Sequence, residues 1–213
     1  MKFTLAKKIN MTQIFGEDGK ARAVTVLKME PTVVSQIKTK EKDGYSAVQI
    51  ATGFRKEKNI SKPVLGHLKD VPLPEERKDS FATLKEFRLE DVFSLNKGDS
   101  LMIETFDIGE SVNVAAISKG KGFQGVVKRH GFHGGPRSHG QKHSEREPGS
   151  IGATGPQRVF KGLRMAGRMG NDRTVVKNLK IVDIDKENNI MLVSGAVPGR
   201  RGTLVEIRST NLK

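Results

Sequence analysis

The chain has 213 residues with 38 Lys and Arg against 24 Asp and Glu, which gives a formal net charge of +14 at pH 7. A hydrophobic content of 35% suits one core domain, with or without an insertion. The absence of cysteine excludes disulfides and thiolate metal sites, and the sequence has no apolar run of about 18 residues that could span a bilayer. The N-terminus lacks the apolar segment of a signal peptide, so we expect a soluble cytoplasmic protein.

The first fifty residues predict a series of short β-strands. Segments rich in β-branched and apolar residues alternate with turns such as residues 16–19, where Asp-Gly supplies a positive φ. Close spacing and short turns favour antiparallel pairing in a small barrel or sandwich. The predicted strands are residues 3–6, 11–15, 23–29, 32–39 and 45–52.

Residues 54–98 differ in character, because they mix charges of both signs and are interrupted by prolines. We interpret them as a small α+β insertion within a single β-barrel domain that covers residues 1–213. A helix is predicted at residues 63–70, where Pro is tolerated in the first turn, and a strand at residues 84–89. His67 lies here, and the simplest interpretation is a surface or partly packed imidazole.

Strand patterns return after the insertion. The predicted strands are residues 100–106, 111–117, 174–184, 190–194 and 203–208. The predicted fold class is therefore mainly β: an antiparallel β-barrel with a small α+β insertion and a long basic Gly-rich loop extension. Because residues 118–173 lie between two predicted strands, they form an inserted loop and not a tail. A loop far beyond about 15 residues is uncommon unless it is functional or disordered.

Residues 118–173, which we call the basic loop, hold most of the net charge. They contain seven Arg and five Lys against three acids, a net charge of +9, together with 13 of the 23 Gly and four of the five His. Apolar residues are sparse and show no sustained period, so the loop cannot bury a core of its own. Backbone phosphates attract Arg and Lys regardless of sequence, and nucleic acid is therefore the expected partner.

The histidines of the basic loop have the spacing H-x2-H-x5-H-x3-H, which invites a comparison with zinc sites. The chain has no Cys, and a dense cationic field opposes binding of a dication, so we predict no metal. Stacking on bases or hydrogen bonding to nucleic acid accounts better for these side chains. The four residues are His130, His133, His139 and His143.

Glu145 and Glu147 are the other candidates for chemistry in the basic loop. A hydrolase needs paired carboxylates held on a rigid frame, whereas these two lie among cations and glycines, and we expect them to pair with neighbouring cations. The alternative, an enzyme acting on nucleic acid through the His and Glu residues of the loop, stays open at this point. A DNA regulator is disfavoured, because no helix-turn-helix or basic-zipper pattern is present.

Four motifs in the basic loop resemble the signature of the family of large-subunit ribosomal protein three, the universal uL-three family. They are SKGKGFQGVVKRHGF at 118–132, HG at 139–140, PGSIG at 148–152 and RVFKGLRMAGRMG at 158–170. Motifs elsewhere resemble the bacterial branch of the family in the same order, so the likeness covers essentially the full chain. These are MTQIFGEDG at 11–19, KDGYSAVQ at 42–49, GH at 66–67, EFRL at 86–89 and GAVPG at 195–199.

The resemblance implies a six-stranded, translation-protein-type β-barrel with a small inserted segment. It implies that the loop enters large-subunit rRNA as an extension whose tip approaches the peptidyl transferase centre, and that the protein binds early in subunit assembly. The implied partners are large-subunit rRNA and neighbouring ribosomal proteins, with no membrane, small-molecule substrate or cofactor. The implied protein is a structural constituent of the cytoplasmic ribosome and not an enzyme.

Carried onto this sequence, the resemblance assigns roles to two groups of residues in the basic loop. Arg suits the first group because its planar guanidinium binds phosphates and stacks on bases. The predicted rRNA-binding residues are Lys119, Lys121, Lys128, Arg129, His130, Arg137, His139, Lys142, His143, Arg146, Arg158, Lys161, Arg164, Arg168 and Arg173. The predicted extension tip is Pro148, Gly149, Ser150, Ile151 and Gly152.

The sequence departs from the family pattern at two places. Asn10 stands where the family usually has Gly before Met-Thr, which predicts an altered tight turn. The segment after PGSIG is ATGPQ, one residue shorter than in some relatives, so we do not assign to Gln157 the methylation that some bacterial members carry.

Overall fold

The computed structural model describes residues 2–16, 19–73, 79–89 and 95–210. Two compact units are present: Met1–Ile117 together with Thr174–Lys213, and separately Ser118–Arg173, which is the basic loop. Of the predicted turn at residues 16–19, Glu17 and Asp18 lie outside the described residues. The flanking hydrogen bond from Gly19 N to Gly16 O measures 2.9 Å.

Strands dominate the described residues and helices are short. In chain order the strands are β1 (Phe3–Phe15), β2 (Ala21–Met29), β3 (Thr32–Lys38), β4 (Ala47–Lys56), β5 (Asp79–Arg88), β6 (Ser100–Leu101), β7 (Ser111–Ile117), β8 (Phe123–Gln124), β9 (Gly167–Arg168), β10 (Arg173–Asp185), β11 (Ile190–Ser194) and β12 (Leu204–Ser209). The α-helices are α1 (Lys40–Asp43), α2 (Lys62–Leu68) and α3 (Val126–His130). Within the described ranges, none of these helices has the length and apolarity that crossing a bilayer requires.

Six strands close into a barrel in the order β1-β12-β7-β10-β11-β2. The pairs β1/β12, β1/β2, β10/β11, β11/β2 and β12/β7 are antiparallel. The first strand, β1, pairs with β12, with Phe3 opposite Arg208 and Lys7 opposite Leu204. The prediction of a mainly β protein built on an antiparallel barrel is confirmed.

The barrel interior is filled by alternate residues of its strands. On β12, Val205 and Ile207 point inward and are fully buried, while Glu206 between them lies on the other face. This follows from the two-residue period of a strand, which sends successive side chains to opposite faces. The rest of the interior consists of aliphatic residues from the other barrel strands and of Ile103, Phe106 and Val197 from the connections.

A second sheet has the order β5-β4-β3-β6, and its strands lie at residues 32–38, 47–56, 79–88 and 100–101. Two segments predicted as strands at 32–39 and 45–52 lie in this sheet and not in the barrel, so the sheet begins before residue 54. The predicted helix at 63–70 is α2, which carries Pro63 in its first turn and buries Leu68 against Phe81. The strand predicted at 100–106 is wrong beyond Leu101, because a 3-10 turn at Ile103–Thr105 places Ile103 in the barrel core.

The second sheet packs on the outer face of the barrel. Phe3 of β1 stacks on Phe87 of β5 with ring centroids 4.7 Å apart, and the Arg208 guanidinium lies 4.7 Å from the centroid of the Phe87 ring. Lys85 Nζ lies 2.9 Å from Glu206 Oε1 in an ion pair between the sheet and the barrel. A buried aromatic pair flanked by polar contacts therefore fixes how the two sheets dock.

β1 is a single strand of 13 residues, although the sequence predicted two strands at 3–6 and 11–15. Its register against β2 shifts between Lys8 and Asn10, which marks a β-bulge at Ile9. Lys8 is buried next to the bulge and donates to Val197 O at 2.5 Å. Asn10 lies within the strand with no positive φ, so the predicted tight turn is absent and no glycine is required there.

Glu110 provides a test of pH dependence in the barrel. Burial raises the pKa of its carboxyl, but donation from Ser209 Oγ at 2.5 Å, from Asp107 N–H and from Lys2 Nζ outweighs that effect and holds the pKa below its ordinary value. The native state thus favours the ionised form, and this stabilisation exists above about pH 4.5 and is lost as pH falls through the folded pKa.

We therefore expect Glu110→Gln to lower the free energy of unfolding at pH 7 by about 1.5–3 kcal/mol, the range for hydrogen bonds to a charged group. The difference from wild type should shrink as pH falls below 4.5. Urea titrations of both proteins between pH 3 and 7 measure this difference in the free energy of unfolding. Glu187→Gln is the matched control, because Glu187 is exposed. A pH-independent difference would contradict this assignment.

Candidate nucleic-acid interface

The two arms of the basic loop pair at its base. Ser118 N donates to Asp172 O at 2.9 Å, Lys121 N donates to Met169 O at 2.9 Å, and β8 then pairs with β9. The arms approach so closely that a Cβ added to Gly170, whose φ is +73°, would lie 2.2 Å from Lys119 O. Gly170 is therefore required by both the backbone conformation and the contact.

A short helix follows the paired arms. Phe123 and Gln124 form β8, Gly125 is the extended N-cap residue, and α3 begins at Val126. Gly131 ends the helix in the left-handed conformation. Val126 is the one buried residue among Ser118–Arg173, all of which the structure describes.

The end of α3 is tied to the returning arm by two contacts with one carbonyl. Arg129 Nη1 donates to Met165 O at 2.7 Å, and His130 Nε2 lies 3.0 Å from the same oxygen. These two predicted rRNA-binding side chains are half-buried and hold the loop together. The other 13 predicted binding residues are exposed.

The middle of the basic loop folds back on itself. Gly135 N donates to Glu145 O at 3.0 Å, and Arg137 Nε lies 2.6 Å from Glu145 Oε1. The expectation that the glutamates pair with neighbouring cations is confirmed for Glu145. Glu147 makes no ion pair with any residue that the structure describes. Over the same ranges, no group of three or more His, Asp and Glu side chains is arranged to hold a metal ion.

Most of the cations in the basic loop are left without a protein partner. Arg129 and Arg137 are bonded as described, and Arg158 lies 5.6 Å from the centroid of the Phe160 ring. Uncompensated charge of one sign on an exposed surface attracts a polyanion. Among the described residues, no ion pair or hydrogen bond is made by the side chains of Lys119, Lys121, Lys128, Lys142, Arg146, Lys161, Arg164 and Arg168.

Exposed apolar side chains accompany these cations, and of these the sequence prediction included Ile151 in the tip but neither Phe123 nor Phe160. Phe123 is 76% exposed and Phe160 is 54% exposed, and Ile151 in the uncharged tip is 43% exposed. Aromatic rings beside Arg and Lys are a common surface for unstacked RNA bases. The signal available in the sequence was their position next to Gly and cationic residues, in a segment that has no core to bury them.

Comparison with known proteins identifies the class of this protein. The family described as ribosomal protein L3 matches residues 88–189, a range that contains the whole basic loop. The large ribosomal subunit protein uL3 of Herpetosiphon aurantiacus is 50% identical over 204 residues, which cover 95% of this chain and 93% of that protein. The uL3 protein of Syntrophobacter fumaroxidans is 47% identical over 212 residues, covering 99% and 98%. That of Carboxydothermus hydrogenoformans is 45% identical over 204 residues, covering 96% and 95%.

These matches define a ribosomal protein and not an enzyme, so the alternative of a nucleic-acid-acting enzyme is wrong. The chain belongs to the uL3 family of large ribosomal subunit proteins, of bacterial type. The resemblance carried by the motifs of the basic loop is thereby confirmed.

Proposed function

We propose that this protein is a structural constituent of the large ribosomal subunit in the cytoplasm and binds large-subunit rRNA through the basic loop. The observation that carries the proposal is the charge of that loop, which has 12 cations against three acids and a single buried residue. In this proposal the protein joins the subunit early in assembly, contacts neighbouring ribosomal proteins, and brings Pro148–Gly152 near the peptidyl transferase centre.

The structure of the loop supports binding by charge together with partial preorganisation. Fixing a backbone residue costs about 1–2 kcal/mol of conformational entropy, so a loop without internal structure would lose much of its binding energy in ordering. The paired arms at Ser118 and Asp172, together with the two contacts to Met165 O, already restrict the loop. Exposed cations then meet phosphates, and Phe123 and Phe160 offer faces on which bases can stack.

The tip suits a different task from that of the cationic arms. Residues 148–155 carry no charge and consist mainly of small side chains, and all of them are exposed. Small uncharged residues let a backbone enter a narrow space in folded RNA without bringing cations close to a functional centre. Anchoring by the arms and close approach by the tip are thus separate parts of the proposed function.

Salt dependence tests the proposal directly. If about half of the 12 cations meet phosphates, the slope of log affinity against log salt should be about −4 to −5. Filter binding of the full-length protein to large-subunit rRNA between about 50 and 200 mM salt measures this slope. Lys161→Gln should reduce its magnitude by about 0.7–0.9 for one lost phosphate contact.

Lys58→Gln is the matched control, because Lys58 is exposed and lies outside the basic loop. It should leave the slope unchanged. A complex insensitive to salt, or equal effects of the two substitutions, would rule out the basic loop as the electrostatic anchor.

A further inference from the structure

The basic loop contains a cavity of about 550 Å³ beside the end of α3. Its volume falls within the range of roughly 300–1,000 Å³ typical of small-ligand sites. The walls combine two rings, two polar side chains and two opposite charges. The side chains that matter here are His130, Phe132, Gln141, Ser144, Glu147 and Arg164.

The walls are held in place by the loop itself. His130 is fixed by Met165 O at 3.0 Å, and its ring centroid lies 6.0 Å from that of Phe132 with the planes inclined at 45°. Gly134 also lines the cavity, and a Cβ on it would lie 2.0 Å from Glu145 O, so only glycine allows the backbone to close there. Gln141 donates to Ser144 Oγ, which orients both polar side chains. The cavity is therefore preformed.

The charges in the cavity restrict what it can hold. Glu147 and Arg164 both line it, yet neither is in an ion pair with the other or with any other residue in the described part of the chain. A free phosphate would be repelled by the Glu147 carboxylate, and a metal ion would meet one acid beside a guanidinium. The fitting ligand donates hydrogen bonds to a carboxylate and offers a π face or an acceptor to an Arg.

We propose that this cavity receives one guanine of the rRNA, splayed out of its stack. Guanine presents two adjacent donors, N1–H and the N2 amino group, which match the two oxygens of Glu147. The Arg164 guanidinium and the His130 and Phe132 rings are suited to contact the base face, as in other sites for unstacked RNA bases. This site rests on the proposed function and adds a base-specific contact to a loop otherwise bound by charge.

Chemical probing of guanines tests the site. Full-length protein is bound to large-subunit rRNA and treated with a reagent that modifies the N1–N2 edge of unpaired guanines. The wild-type protein should protect one guanine from the reagent. In the complex with Glu147→Gln, the reactivity of that guanine should be about tenfold higher, because a bidentate contact favours the correct base by about that factor. Glu145→Gln is the matched control. It removes the same charge from the loop, but Glu145 pairs with Arg137 and neither residue lines the cavity.

The outcomes separate the site from the proposed function. Protection that is lost in Glu147→Gln and kept in Glu145→Gln supports the site. Salt-sensitive binding with no guanine whose protection depends on Glu147 overturns the site and leaves the proposed function standing. Absence of rRNA binding by the wild type overturns both.

Discussion

Deleting residues 125–166 is expected to leave a folded barrel that has lost most of its affinity for rRNA. The design uses the register of the paired arms, in which Gln124 lies opposite Gly167. An Asn-Gly pair can join the two strands there as a two-residue hairpin turn. The barrel and the second sheet should fold normally, because their three apolar clusters contain no residue of the basic loop.

The expected loss of affinity is large because the deletion removes eight of the 12 cations. Affinity for rRNA should fall by on the order of a hundredfold or more at physiological salt, and the salt slope by about two thirds. The four cations that remain are Lys119, Lys121, Arg168 and Arg173.

Filter binding and far-UV circular dichroism together check this prediction. Deletion of residues 150–155 is the control, since that segment carries no charge and its removal should leave the slope unchanged. Loss of the β signal in the longer deletion would show that the basic loop is needed to fold the barrel. A slope equal to that of wild type would place the rRNA contacts elsewhere.

Phe87→Ala is expected to lower the free energy of unfolding by about 3–5 kcal/mol. Phe87 is 1% exposed, stacks on Phe3, and lies in the cluster that joins the second sheet to the barrel. Truncation loses the free energy gained by burying the ring. It also leaves a cavity between the two sheets that neither sheet can fill by moving alone. It also takes away the ring over which Arg208 lies.

Urea unfolding measured by circular dichroism tests the value for Phe87→Ala. Phe15→Ala is the matched control, because Phe15 is 66% exposed at the far end of β1. Its effect should stay within about 0.5 kcal/mol, as for most surface substitutions. Similar costs for the two substitutions would show that the aromatic pair does not hold the sheets together.

Strands with clear turn signals at both ends could be predicted from the sequence. β7 and β11 have the predicted bounds because Gly-containing or Asp/Asn-rich turns precede them and their residues are mostly β-branched and apolar. Helix α2 was also predictable, since Pro63 marks its first turn. The motifs of the basic loop were enough to indicate the family from the sequence alone.

The division of strands between two sheets could not be predicted, because β3 and β4 are as rich in β-branched and apolar residues as the barrel strands. The bulge in β1 depends on pairing with β2, which local composition does not encode. Inside the basic loop, the contacts of Arg129 and His130 with Met165 O join residues 35 or 36 positions apart. The cavity arises from such long-range backbone contacts, so no local pattern indicated that Glu147 and Arg164 would share it.

Pairing between β1 and β12 determines when the barrel of a nascent chain can close. β1 begins at Phe3 and its partner at Leu204. At a synthesis rate of about 5–20 residues per second, about 10–40 s therefore pass between the synthesis of β1 and that of β12, the strand that closes the barrel. The basic loop is made well within that interval. Barrel closure is consequently a late event, and the cations of the loop can meet RNA while the rest of the protein is still incomplete.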